Sequence, residues 1–197
     1  MFLIVIGIII LVITAVVLKN NPALAKFKPI GRIVGVIFIL LGIFNACVKQ
    51  IDAGQVGVKV LFGSIQNDVM GSGLHFINPL LDVKKMDVKT QNYTMSGLHD
   101  EGNQVGDDAI RVLTSDGLEV TIDLTVLYRV VGADAPRLLR ETGDDYRDKI
   151  VRPITRTKIR DNAVYYQAVD LFGSKRDVFQ QRIFKSIEED FKKRGLL

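Results

Sequence analysis

The chain has 197 residues, 48% of them hydrophobic and 24% charged, with a formal charge of +4, a single cysteine and no tryptophan. One cysteine excludes an intrachain disulfide framework, and the basic excess is too small and too localised for a nucleic-acid binder. Lys19, Lys26, Lys28 and Arg32 are the only charged residues before Lys49, so they account for the whole excess and the remainder is electroneutral.

Those four residues lie between, or at the edge of, two apolar runs. Residues 2–18 carry no charge and one polar side chain, Thr14; residues 33–48 carry no charge, with Asn45 their only strongly polar member. A bilayer core asks for about 20 apolar residues in a helix, and in lipid the unpaired backbone enforces helix even in β-branched runs. The pattern predicts a membrane hairpin over residues 1–48. Basic residues beside spanning segments stay cytoplasmic, which puts the loop 19–32 inside the cell and everything after Lys49 on the non-cytoplasmic side of a cell (inner) membrane. Two other readings fit the same residues. Ala23-Leu24-Ala25 resembles a signal-peptide cleavage site, and the short arms with Pro22 and Pro29 fit a re-entrant hairpin that leaves the rest cytoplasmic. Cys47, at the end of the second run, reads as a small apolar side chain in lipid.

Residues 49–197 suit one domain. Ile51 to Gly54 closes the membrane part, and Gln55 to Phe62 reads as a strand in which Val56, Val58 and Val60 alternate with other residues. Gly63-Ser64-Ile65 and Met70 to Gly73 carry turn chemistry. Leu74 to Ile77 is a short apolar piece ended by Asn78-Pro79. Residues 82–94 form a further strand with imperfect alternation. Residues 97–108, with three glycines, His99 and the acids Asp100, Glu101, Asp107 and Asp108, read as an exposed hairpin loop; no ligand spacing marks a metal site. Ile110 to Leu113 leads through the Asp116-Gly117 turn into the clearest strand, Leu118 to Val130, whose alternation, broken only by Leu127, belongs to an antiparallel sheet with one solvated face.

Beyond it the period becomes helical. Asp134 to Glu141 opens with Pro136 in a first turn. Residues 143–165 bury Tyr146, Ile150, Ile154 and Ile159 and set Asp145, Arg152, Arg156, Lys158 and Arg160 on the other side, with Pro153 placed to kink the helix. Residues 174–194 form the best helix, with a capping box from Ser174 and Asp177, an apolar stripe of Val178, Phe179, Ile183, Phe184, Ile187 and Phe191, and a stop at Gly195. Strands first and helices after predict an α+β domain.

No motif in the sequence marks reaction chemistry. His75 and His99 have no sequence partner for nucleophilic or metal work, Ser96, Ser115 and Ser174 sit in no nucleophile elbow, and Gly71-Ser72-Gly73 lacks the Lys-Ser/Thr of a phosphate loop. Asp144-Asp145 reads as a dipole partner of a helix start. No cofactor is implied.

An apolar anchor leads into Ile51-Asp52-Ala53-Gly54-Gln55-Val56-Gly57-Val58, then Gly71-Ser72-Gly73-Leu74-His75-Phe76-Ile77-Asn78-Pro79. Leu113-Thr114-Ser115-Asp116-Gly117, Leu124 to Val130, Gly143-Asp144-Asp145-Tyr146 and Ile150-Val151-Arg152-Pro153 follow in that order. Together these resemble the SPFH or band 7 superfamily of stomatin, prohibitin and flotillin relatives, nearest its bacterial prohibitin-like members, over Gln50 to Leu197. The resemblance implies an SPFH domain at a membrane surface and no enzymatic activity. It further implies self-assembly into large rings or cages that organise lipid microdomains or restrain membrane-anchored AAA proteases. The partners implied are membrane lipids, further copies of the chain and such a protease, with no nucleic acid. An accessory subunit bound to one protease or transporter without a ring is the competing expectation. Asp145, Arg152, Arg156 and Arg160 are the candidate subunit contacts. Relatives continue from the last helix into a strand and a coiled coil, so the domain is expected to be incomplete at Leu197 and the natural polypeptide to run on.

Overall fold

The computed structural model describes residues 2–20, 28–98, 102–104 and 106–197. Two helices, α1 (Phe2–Asn20) and α2 (Lys28–Cys47), come first, and β1 (Val48–Ile51) follows α2 with no linker. Pro29 does not break α2: it occupies the first turn, where its missing N–H would have had no partner, so the helix starts ahead of the apolar run.

Four antiparallel units follow. β1 pairs with β4 (Gly73–Phe76) in the register Val48 to Phe76. β2 (Gln55–Leu61) is the centre of a three-stranded sheet between β3 (Ser64–Met70) and β5 (Leu81–Asp87). β6 (Gln91–Met95) pairs with β9 (Leu124–Tyr128), and β7 (Ile110–Leu113) with β8 (Glu119–Ile122). Three of these elements depart from the sequence reading. Residues 64–70 are a strand and not only a turn: their polar members face water on an edge strand, so no apolar alternation announces them. Residues 82–94 form two strands, which explains the imperfect period. Leu118 to Val130 is split at Asp123, whose Oδ1 accepts the Gly97 N–H at 3.0 Å. The chain changes partner there from β7 to β6, while the side-chain alternation runs on across the break.

The helical half is α3 (Ala135–Thr142), α4 (Arg152–Ala163), a short α5 (Ala168–Phe172) that sequence periodicity missed, and α6 (Arg176–Lys193). Residues 147–151, just before α4, form a π-helical turn closed by the Arg152 N–H on the Arg147 carbonyl. Pro153 lacks an N–H for the carbonyl four residues back and its ring crowds that carbonyl, so the wider turn falls where the kink was expected. The capping box of α6 does not form: Lys175 is the N-cap and no side chain caps the helix. Its C-terminus ends as expected, with Gly195 at φ +79° and the Leu196 N–H returning to the Phe191 carbonyl at 3.0 Å, a Schellman closure.

The core lies between the β6–β9 and β7–β8 ribbons and the helices. Tyr93, Met95, Ile110, Val120 and Tyr128 meet Leu138, Ile150, Val151 and Ile159, with Phe179, Ile183, Ile187 and Phe191 of α6 closing it. Val178 and Phe184, expected in that stripe, are exposed. Leu196 is fully buried and pairs antiparallel with Val130, tied on one side by Arg129 and Leu197 exchanging backbone bonds of 2.8 and 2.9 Å and on the other by the Val131 N–H on the Gly195 carbonyl at 2.9 Å. A smaller cluster of Ile51, Met70 and Ile77 sits under β1.

Candidate membrane anchor and assembly surface

The anchor begins with glycines. Gly7 of α1 and Gly31, Gly35 and Gly42 of α2 line the seam between the antiparallel helices. A Cβ on Gly7 would come within 2.9 Å of the Gly35 carbonyl and 3.0 Å of the Ile39 nitrogen, and one on Gly42 within 2.9 Å of the Ile4 nitrogen. At both positions backbone atoms as well as an isoleucine side chain stand in the way, so the helices touch about as closely as glycine allows there, the packing that small residues give in lipid. Thr14, buried against Gly31, satisfies its hydroxyl on the Ile10 carbonyl at 2.7 Å. Outside the seam the described side chains are mostly apolar and open, among them Val5, Ile9 and Val12 of α1 and Ile33, Val36, Leu40 and Phe44 of α2, with Arg32 and Asn45 the exposed polar members. A hairpin with a closed seam and an uncovered apolar exterior suits hydrocarbon, where exposed Ile and Leu carry no penalty.

Among the described residues, α2 alone is long and apolar enough to cross a membrane, over Pro29–Cys47; the apolar part of α1, Phe2–Ala15, is shorter. At 1.5 Å per residue those stretches measure about 28 and 21 Å, against a hydrocarbon core of about 30 Å. Of the flanking basic residues, Arg32 is exposed on α2, Lys19 and Lys28 belong to the helix ends, and Lys26 lies outside the described residues.

The candidate assembly residues separate into two pairs. Arg152 and Arg156, one turn apart on α4, both reach Asp108. The Arg152 Nη2 donates to its Oδ1 at 2.5 Å and the Arg156 Nη1 to the same oxygen at 2.6 Å. Arg156 also donates to the backbone carbonyls of Asp108 and Ala109, at 3.1 and 3.3 Å. The Asp108 side chain is only 3% exposed. Burial alone would raise its carboxyl, but the two guanidiniums outweigh that and hold it below the usual carboxylate range. The loop 97–108 is therefore not wholly exposed: its last residue is clamped to α4. Nothing local in the sequence signals this pairing across 44 and 48 positions. Asp145 and Arg160 are exposed and make no ion pair among the described residues. Arg160 lines a shallow hollow with Asp107, Ala109, Arg111 and Arg156.

The order of elements, an apolar two-helix hairpin running directly into an α+β body of short antiparallel ribbons backed by helices, defines the class: an α+β domain behind an apolar helical segment, one of whose helices is consistent with membrane anchoring. The sequence profile of the SPFH domain / Band 7 family matches residues 49–196, and the chain belongs to that family. Curated relatives are distant and of one kind. Prohibitin 1 of Gallus gallus is 24% identical over 172 residues, 87% of this chain and 58% of that protein. Prohibitin-7, mitochondrial, of Arabidopsis thaliana is 25% identical over 86% of this chain and 56% of its own length. Mitochondrial prohibitin complex protein 1 of Caenorhabditis elegans is 26% identical over 86% and 58%. The chain thus spans less than two thirds of the length of the curated relatives it matches. It is a prohibitin-like SPFH protein.

Proposed function

We propose that the protein is a non-enzymatic membrane scaffold that assembles with further copies of itself into a large ring or cage, organising a lipid microdomain or restraining a membrane-bound AAA protease. Residues 1–48 act as the anchor and residues 49–197 as the body. The observation that carries this reading is the direct junction of α2 and β1: with no linker between Cys47 and Val48, the membrane helix fixes the position of each SPFH body at the bilayer, as a side-by-side array requires. The name of one relative, a member of a mitochondrial prohibitin complex, supports an assembled state. The four basic residues between the apolar runs support a cytoplasmic loop, with the body on the non-cytoplasmic side of the inner membrane. Asp145 and Arg160, exposed and without an intramolecular ion pair among the described residues, are the side chains free to set register between subunits.

Mass measurement on the protein extracted in mild detergent tests the proposal. A homo-oligomer many times the 21.9 kDa of one chain is expected. A monomer carrying one stoichiometric protease or transporter would replace the scaffold with the accessory-subunit reading.

A further inference from the structure

Arginines from two elements converge on one hollow. Arg156 and Arg160 lie one turn apart on α4, and residues at that spacing share a helical face. With Arg111 of β7 they line a space of about 200 Å³, whose remaining walls are Asp107 and Ala109. At about 30 Å³ for each water, that space takes a tetrahedral anion with a small substituent.

The three arginines differ in what they have left to offer. Arg156 is held in place: its Nη1 donates to the Asp108 carbonyl and Oδ1, and its Nη2 to the Ala109 carbonyl. Its Nε–H and part of Nη2 stay unspent. Arg111 is exposed and gives a hydrogen bond from Nη2 to Asp107. Arg160 is exposed and makes no hydrogen bond or ion pair among the described residues. Asp107 is committed, since its Oδ2 takes Arg111 and its Oδ1 accepts the Ala109 N–H at 3.1 Å. Three guanidiniums against one carboxylate leave an excess of two positive charges in the lining. The neighbouring Arg152 and Asp108 pair with each other and do not change it.

That excess selects among anions. A carboxylate brings a single charge and two acceptor oxygens in one plane. A phosphate monoester brings close to two charges at pH 7 and three acceptor oxygens in a tetrahedral array, which suits guanidinium forks arriving from two walls. Both walls belong to the half of the domain built on the main core, whereas α2 joins the domain at the β1–β4 ribbon. The ligand therefore arrives from water.

We propose that this hollow binds a soluble phosphate monoester, its terminal phosphate taken by Arg160 and Arg111 and oriented by the pre-positioned Arg156. The inference goes beyond the scaffold reading and does not rest on it. Arg160 is shared with that reading, so particle size is recorded beside binding.

Calorimetric titration of the full-length protein in mild detergent with glycerol 3-phosphate, at fixed ionic strength, is the test. Saturable binding of one molecule per chain is expected, with no heat from acetate. Arg160→Gln and Arg111→Gln should each weaken binding about tenfold or more, the scale of a hydrogen bond between charged groups. Lys185→Gln removes the same charge from an exposed position on α6 and should leave binding unchanged. Absence of binding by the native chain overturns the inference, as does equal heat from acetate or equal weakening by all three variants. Arginine variants that shrink the particles yet bind like the native chain assign the hollow to a subunit contact and refute the site. Retention of phosphatidic acid in mixed micelles, with no binding of glycerol 3-phosphate, hands the hollow to a lipid headgroup and refutes it too.

Discussion

Truncating Arg152 and Arg156 to alanine removes both partners of Asp108 and tests whether the loop 97–108 is pinned to α4 from inside the subunit. The Asp108 carboxylate is 3% exposed, while the two arginine side chains are 35% and 21% exposed, so the acid carries the larger desolvation cost. Either single truncation leaves the other guanidinium in place and admits water beside it. About 2 kcal/mol is expected for each, the scale of hydrogen bonds to a charged group. The double truncation leaves a buried carboxylate without a counter-charge, a loss of about 4 kcal/mol. For a chain of this size that lowers the melting temperature by about 8–16 °C, read by thermal unfolding of the full-length protein in detergent. The effect has a pH signature. A carboxyl held below its unfolded value contributes stability that is fully present above about pH 4 and is lost as pH falls through the lower, folded value. Asp108→Asn should therefore be less stable than the native chain at pH 7, yet lose less on acidification. A double-truncation melting point within a degree or two of the native one would refute the clamp. Charge reversal of the same two arginines places three carboxylates together, so smaller particles after that change would report unfolding and not a broken subunit contact.

Three further outcomes are expected. Asp145→Lys with Arg160→Glu alters side chains with no intramolecular ion pair among the described residues, so it should leave the melting temperature within about 1 °C, as exposed charges contribute little, while reducing particle size; unchanged particles would retire both as contacts. Gly7→Ala with Gly42→Ala drives each new methyl to 2.9 Å from backbone atoms of the other helix and should loosen the hairpin by about 1–3 kcal/mol, seen as a lower melting temperature in detergent; no change would mean that the helices part in lipid. For topology, Ser115→Cys, at an exposed turn, should react with an impermeant maleimide in cells with a permeable outer envelope, and failure to label would favour the re-entrant hairpin.

The sequence carried the fold wherever one residue type served one purpose. The alternation of Val120, Tyr128 and Val130, the spacing of Phe179, Ile183, Ile187 and Phe191, and Gly195 as a helix stop could all be read because each depends on burial or φ at its own position. Two kinds of feature were not legible. β3 was missed because an edge strand with polar side chains carries no periodic signal, and the split at Asp123 because a change of hydrogen-bond partner leaves the side-chain period intact. The clamp of Asp108 by Arg152 and Arg156 was missed for a different reason: charge pairing between distant segments has no local signature, so both arginines read as an outer face. The glycines of the hairpin did have a signal, Gly31 and Gly35 four apart with Gly42 seven beyond, which repeats on one helical face.

The account stands on assembly at a membrane, and images of particles extracted in a gentle detergent or held in native membrane patches test it most directly. It predicts closed rings or cages of many identical subunits, each SPFH body seated against the bilayer at the foot of α2. Dispersed single chains, or bodies standing clear of the lipid on a flexible stalk, would contradict it.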